Sequence, residues 1–243
     1  MKDYKNETKQ RTAWIKTVLE NSGAKGVVFG NSGGKDCALV GILCKIAVGN
    51  VLSVMMPCGT KANYGTDQDH AKLLATAFDI ENVVVELEPC KKALWQELSL
   101  ITELSPAAAS NINPRLRMAT LYALGQSLGY LVAGTGNKSE NYTGYFTKWG
   151  DGGYDFNPII DLTATEVFEF LRYLDAPVEI INKPPSAGLF EGQTDEAEMG
   201  VSYAAIDKFI KTGEGNPEDI EKIGRMHSRT EHKRQPPKIY PGS

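Results

Sequence analysis

The chain has 243 residues, 42% hydrophobic and 23% charged, with a formal net charge of -4 and a pI near 5.5; this is the balance of an ordinary folded protein with a sizeable core. The acidic excess argues against a broad nucleic-acid surface, which needs clustered Lys and Arg, and no apolar run nears the ~20 residues of a membrane span. The polar opening MKDYKNETKQRTAW has no apolar core of a secretory signal, and Cys37, Cys44, Cys58 and Cys90 form no C-x-x-C pair, so they read as reduced thiols of a cytoplasmic protein.

The first predicted element is a helix over 7–22, with Trp14, Ile15, Val18 and Leu19 at helical spacing. Four β-rich runs follow: GVVFG at 26–30, NVLSVMM at 50–56, NVVVEL at 82–87 and YLVAG at 130–134. Their apolar stretches are continuous rather than alternating, the pattern of strands covered on both faces of a parallel sheet. Helical patterns separate them, at about 34–47, 66–79, 91–103 and 114–128. Asn113-Pro114 reads as a cap and first position for the last of these, with Leu116, Ala119, Thr120, Ala123, Leu124 and Leu128 as its inward stripe. Beyond 136 the texture changes. A Gly-, Asn-, Tyr- and Thr-rich segment covers 136–158, then a helix over 161–174, a Pro/Gly loop over 182–194, a helix over 195–211 and a basic tail. The expected fold is α/β, doubly wound and Rossmann-like, with a mainly parallel sheet and helices on both faces. One domain over 1–243 is expected, with a flexible loop near 182–194.

The loop GNSGGKDC, residues 30–37, falls between the first strand and its helix, where such sheets bind phosphate. It is not a Walker A loop, because Gly34-Lys35 is followed by Asp36 and Phe29 stands in the leading glycine position. Nor is it G-x-G-x-x-G. Consecutive glycines and the first N–H groups of a helix suit an anion, and Ser32 adds a hydroxyl donor. Asp36 would repel phosphate unless a cation sat between them, which makes it a candidate Mg²⁺ ligand. A plain tight turn, with Asp36 serving the helix dipole, is the simpler alternative.

The loop resembles the S-G-G-x-D-S signature of the N-type ATP pyrophosphatases, and the wider sequence resembles ammonia-dependent NAD synthetases. The resemblance spans about 10–235 and rests on ordered motifs: 30–37, NPRLRM (113–118), GTGNKSENYTGYFTKWGDGGYDFNP (134–158), KPPSAGL (183–189), DEAEMGVSYAAID (195–207) and TEHKRQ (230–235). It implies ATP bound by Gly30, Asn31, Ser32, Gly33, Gly34, Lys35, Asp36, Cys37, Thr135 and Ser186, with Mg²⁺ held by Asp36 and Glu140. It implies deamido-NAD (nicotinic acid adenine dinucleotide) bound by Arg115, Lys148, Asp155, His232 and Lys233. No protein nucleophile is implied: the substrate carboxylate is adenylated, pyrophosphate departs, and ammonia displaces AMP to give NAD. The segment before residue 26 is too short for a glutaminase domain, so free ammonia is the expected nitrogen donor. A homodimer is expected from the same resemblance.

Three positions depart from the family pattern. Cys37 stands for serine at the end of the loop, Ala164 for an ATP-contacting lysine, and Gly188 for an aspartate. A thiol is a poor donor to phosphate. Lys35, at a variable position of the motif, is expected to replace the missing lysine charge. The rival readings are a related pyrophosphatase ligase acting on another acceptor, and a nucleotide-binding protein that has lost catalysis.

Overall fold

The computed structural model describes residues 2–186, 188, 192 and 194–241. Among them, α1 (Tyr4–Ser22) leads into β1 (Gly26–Gly30), α2 (Lys35–Val48), β2 (Val51–Met55), α3 (Lys61–Tyr64), α4 (Thr66–Ala77) and β3 (Glu81–Val84). Then come α5 (Glu88–Ser99), α6 (Pro106–Ser110), α7 (Ile112–Leu128), β4 (Tyr130–Val132) and α8 (Lys138–Thr143). The chain finishes with α9 (Ala164–Tyr173), α10 (Val178–Ile181), α11 (Asp195–Met199), α12 (Tyr203–Thr212), α13 (Pro217–Arg229) and α14 (Glu231–Arg234).

The strands pair in parallel in the order β3-β2-β1-β4. The chain thus runs outward from β1 to β3 and then returns to β1's other side as β4. Alternation along β1 sends Val27 and Phe29 to one face, packed with α1, α2 and α9, and Val28 to the other, packed with Leu121 of α7. The helices therefore lie on both faces, as expected for a doubly wound sheet, and the reversal between β1 and β4 opens a crevice at the strands' carboxyl ends. A third cluster, with Tyr203, Ile206 and Ile223 at its centre, joins α9, α12 and α13 beside that crevice.

The strands covered on both faces are β1 and β2; β3 is an open edge whose Val84 is half exposed. The helix expected to begin at 114 begins at Ile112, one turn fraction earlier. Asn113 is not its cap: the side chain is fully buried, its amide reaching the carbonyl of Cys58. The inward face of α7 is also rotated from the expected stripe. Leu121 and Gly125 are buried while Ala119, Ala123 and Leu128 are exposed, because Gly125 has only hydrogen to set against Val28 and Val132 of the sheet. The helix expected over 195–211 is two helices, broken where Gly200 takes φ 66 and caps α11.

Candidate active site

Strand β1 ends at Gly30, and Asn31 then turns the chain. Its backbone N–H stays on Val54 O of β2 (2.9 Å), while its buried amide donates to Ser53 Oγ (2.9 Å) and Ala71 O (3.3 Å). Asn31 Oδ1 accepts the N–H of Gly33 (3.0 Å), curling the loop. Gly33 sits at φ 67, the left-handed region that a Cβ disfavours. Gly34 caps α2 without any side-chain bond, so the first N–H groups of this 14-residue helix have no partner within it and face the crevice. Such a helix start, made of backbone alone, is suited to an anion. The Cys37 thiol is turned inward instead, donating to Gly34 O (3.1 Å) and lying 3.4 Å from Ser32 Oγ.

A cavity of about 760 Å³ opens over this loop. Every residue expected to contact ATP lines it except Gly33, which forms the turn beneath. Across the cavity, Asn137 starts α8. Its side chain accepts the N–H groups of Ser139 and Glu140 (both 3.0 Å), while Glu140 Oε2 accepts the N–H of Asn137 (3.0 Å): a reciprocal capping box. With its oxygen committed to the helix, the amide's Nδ2 donates to Asp36 Oδ1 (3.0 Å). One fully buried residue thereby holds both candidate metal carboxylates, from the first turns of two helices about a hundred residues apart. The sequence signal for this was the N-x-x-E of NKSE, a cap signature that the Gly-rich surroundings mask.

Asp195 and Tyr203 complete the acidic wall: the Tyr203 hydroxyl lies 2.9 Å from Asp195 Oδ2 and 3.5 Å from Glu140 Oε1. Burial, then the charge of Asp36, push the Glu140 carboxyl upward, with Lys35 and the Asn137 N–H opposing. Lys35 lies between these groups, its Nζ 2.5 Å from Asp36 Oδ2 and 4.0 Å from Glu140 Oε1. Burial draws Lys35 down, but Asp36 and Glu140 outweigh it and the net shift is upward. The charge expected to stand in for a lysine at 164 is thus engaged by carboxylates. Ala164 itself is fully buried, its N–H donating to Ser139 Oγ.

Two further residues carry no assignment from the sequence. Lys183 bridges Asp67 Oδ1 (2.7 Å) and the loop carbonyls of Ser32 (3.2 Å) and Gly33 (3.4 Å), tying the segment after α10 to the anion seat. Arg117 lines the cavity, donating to Met56 O and to Asn63 Oδ1 (both 3.2 Å); among the described residues it has no acidic partner within ion-pair distance, and burial draws its pKa down. In the 183–189 motif, Ser186 lines the cavity, and Ala187 and Leu189 lie outside the described residues.

The residues expected to hold deamido-NAD divide in three. Only Lys233 lines the cavity, with its Nζ on Gly144 O (2.8 Å) and Phe146 O (2.6 Å) and its pKa lowered chiefly by burial. Arg115, Lys148 and His232 cluster outside it: Arg115 donates to Lys148 O (3.4 Å) and Lys148 Nζ to His232 O (2.6 Å). Asp155 is remote from them, accepting from Val132 N (2.8 Å) and the Tyr122 hydroxyl (3.1 Å). The tail is ordered by Arg234, whose Nη1 donates to the carbonyls of Asn141 (3.1 Å) and Tyr142 (3.2 Å) at the end of α8, and whose Nη2 donates to His227 O.

The sequence matches the family model for NAD synthase over residues 7–237. It is 43% identical over 240 residues to the NH(3)-dependent NAD(+) synthetase of Carboxydothermus hydrogenoformans, covering 98% of each chain. Among solved structures, the NMN synthetase of Francisella tularensis superposes with a TM-score of 0.93 at 34% identity, covering 100% of both chains. The NH3-dependent NAD synthetase of Campylobacter jejuni superposes with a TM-score of 0.80 at 29% identity, covering 99% of this chain and 100% of that one.

Proposed function

The chain belongs to the NAD synthase family, and from that premise we propose the reaction of its cavity: ATP-dependent amidation of deamido-NAD to NAD with ammonia. The observation that carries this reading is the juxtaposition of an open helix N-terminus with a converging carboxylate pair, Asp36 and Glu140, across one cavity. The first suits a departing pyrophosphate and the second suits Mg²⁺. Among the described residues no group of three His, Cys, Asp or Glu side chains could hold a metal alone. Two carboxylates fit Mg²⁺ that arrives with nucleotide phosphates, because this ion takes few protein ligands beside phosphate oxygens and water. Bound there, it would withdraw charge from the leaving pyrophosphate.

The protein's own part is positioning and charge. The N–H groups at the start of α2, with Ser32, hold the β and γ phosphates. Asn137 fixes the two carboxylates at one spacing, and Lys183 holds the following segment against the loop. The substrate carboxylate then attacks the α-phosphorus, releasing pyrophosphate and leaving an acyl-adenylate. Ammonia attacks that carbonyl and AMP departs with the two electrons of the broken C–O bond. No side chain becomes covalently attached, and catalysis rests on alignment and preorganised donors.

The single domain works as a homodimer in this reading. Helix α5 buries none of its own residues, and Leu94, Trp95, Leu100 and Ile101 are exposed along and just beyond it. A second copy would cover them and could complete the Arg115–Lys148–His232 cluster for the acceptor, while Lys233 serves it from the cavity side. Light scattering on the purified protein tests this. Four unpaired cysteines, three of them buried, suit a reducing, cytoplasmic setting.

A second reading concerns the acceptor. The higher TM-score against the NMN synthetase than against the NAD synthetase favours a mononucleotide, nicotinic acid mononucleotide, as substrate of the same two steps. One assay decides between them: ATP, Mg²⁺ and ammonium with each acceptor, following AMP, pyrophosphate and the amidated product. A higher kcat/KM for deamido-NAD supports the first reading and a higher value for the mononucleotide supports the second. Turnover with neither, but with another carboxylate, indicates a different ligase; nucleotide binding without turnover indicates lost catalysis.

A further inference from the structure

Lys35 stands where a lysine is out of place. It is the first residue of α2, where a positive charge opposes the helix dipole, and it is only 5% exposed, a burial that lysine rarely reaches unless paired. Its ammonium meets two carboxylates and two aromatic rings. Asp36 Oδ2 is at 2.5 Å and Glu140 Oε1 at 4.0 Å, and the rings of Tyr203 and Phe168 lie with centroids at 5.2 and 5.6 Å. Two carboxylates and two aromatic faces form a cage for a single positive charge.

We propose that Lys35 is the resident cation of this site, seated on the carboxylates that would otherwise recruit a divalent ion, so that such an ion engages Asp36 and Glu140 only together with nucleotide phosphates. The proposal rests on the reading of Asp36 and Glu140 as metal ligands. Its physical basis is charge balance. Asp36, Glu140 and Asp195 converge within reach of Tyr203 and Lys35, and three close carboxylates without a cation repel one another. A covalently attached ammonium relieves that repulsion permanently and keeps both side chains in place before substrate arrives. A divalent ion entering alone meets the ammonium on the oxygen it needs. One entering with a triphosphate brings enough negative charge to share the carboxylates with Lys35. Cation and nucleotide binding are therefore coupled through one side chain.

The test titrates Mn²⁺ against the protein by electron paramagnetic resonance, with and without α,β-methylene-ATP, in wild type, Lys35→Met, Lys35→Arg and Asp36→Asn. The wild type and Lys35→Arg are expected to bind Mn²⁺ weakly alone and at least tenfold more tightly with the analogue. Lys35→Met is expected to bind it about tenfold more tightly than wild type without nucleotide, with a smaller gain on adding the analogue. Equal Mn²⁺ affinities for wild type and Lys35→Met in the nucleotide-free state would overturn the proposal. If Lys35→Met does not fold, the wild type alone decides: Mn²⁺ affinity that the analogue leaves unchanged also overturns it. Asp36→Asn separates the two ideas. Undiminished Mn²⁺ binding by that variant with nucleotide removes the metal-ligand reading itself, whatever Lys35 does.

Discussion

Replacing Asn137 by Asp changes one atom of the site and reverses one interaction. Aspartate caps a helix as well as asparagine does, so the bonds to the N–H groups of Ser139 and Glu140 survive. The Nδ2 that donates to Asp36 Oδ1 at 3.0 Å becomes a second carboxylate oxygen facing it. Losing a hydrogen bond to a charged acceptor costs about 1.5–3 kcal/mol. Two negative charges at this spacing repel by roughly 5 kcal/mol at an effective dielectric of 20, an upper figure because Lys35 lies beside them and one carboxyl can take up a proton. A net loss of about 3 kcal/mol at pH 7 follows, or roughly 6–12 °C in Tm for a chain of this size. A carboxyl forced to share a proton has a raised folded-state pKa, so the penalty shrinks as pH falls and a proton restores an O–H···O bond. The decisive measurement is a urea-denaturation cycle with Asp36→Asn. In that background the amide at 36 donates to the carboxylate at 137, and the cost of Asn137→Asp should drop by about 2 kcal/mol, far beyond the ~0.5 kcal/mol of simple additivity. An unchanged cost would refute the claim that Asn137 joins the two carboxylates.

Gly33→Ala places a side chain at φ 67, with its Cβ pressed into Asp67 O and 2.9 Å from His70 Cβ; the left-handed strain alone is about 1–2 kcal/mol, and calorimetry should show ATP binding lost along with a lower urea midpoint. Arg117→Met removes a cavity-lining charge that has no acidic partner among the described residues; acceptor or ATP affinity should fall tenfold or more, while Tm holds or rises, since an unpaired buried charge costs stability and its removal offsets the two lost hydrogen bonds. Midway along α1, Arg11 grips Asp161 Oδ1 (2.6 Å) and Oδ2 (2.7 Å). Burial raises the Asp161 carboxyl, but the Arg11 hydrogen bonds and charge outweigh it and the net shift is downward. Asp161→Asn should therefore cost about 1 kcal/mol at pH 7, a value discounted for the exposure of Asp161. That difference from wild type should vanish in chemical denaturation as pH falls below the ordinary aspartate range of ~4 and through the lower folded value.

The sheet was legible in the sequence because β1 and β2 are buried on both faces and so are apolar along nearly their whole length, Ser53 of β2 excepted. The loop after β1 was legible because the backbone conformation needs glycine at 33 and an anion seat needs no side chains. What the sequence concealed is relational. Nothing local to Asn137 says that its amide will meet Asp36, and nothing at Lys35 says that it will turn from phosphate toward carboxylates. Arg117 carried no role in the sequence, yet the helix that starts at Ile112 brings Arg117 into the cavity and leaves Arg115 out of it. Period alone set the expected stripe of α7; Gly125, which carries no hydrophobic weight, set the real one.

The guanidinium of Arg234 closes the carbonyl end of the helix that presents Glu140. During synthesis the sheet, the glycine loop and Asp36 emerge long before that guanidinium does, and folding proceeds from the N-terminal side. The glycine loop and Asp36 are therefore made well before the donor that closes the end of α8. A chain truncated before residue 234 would leave the carbonyls of Asn141 and Tyr142, 93 and 92 residues upstream, without that donor.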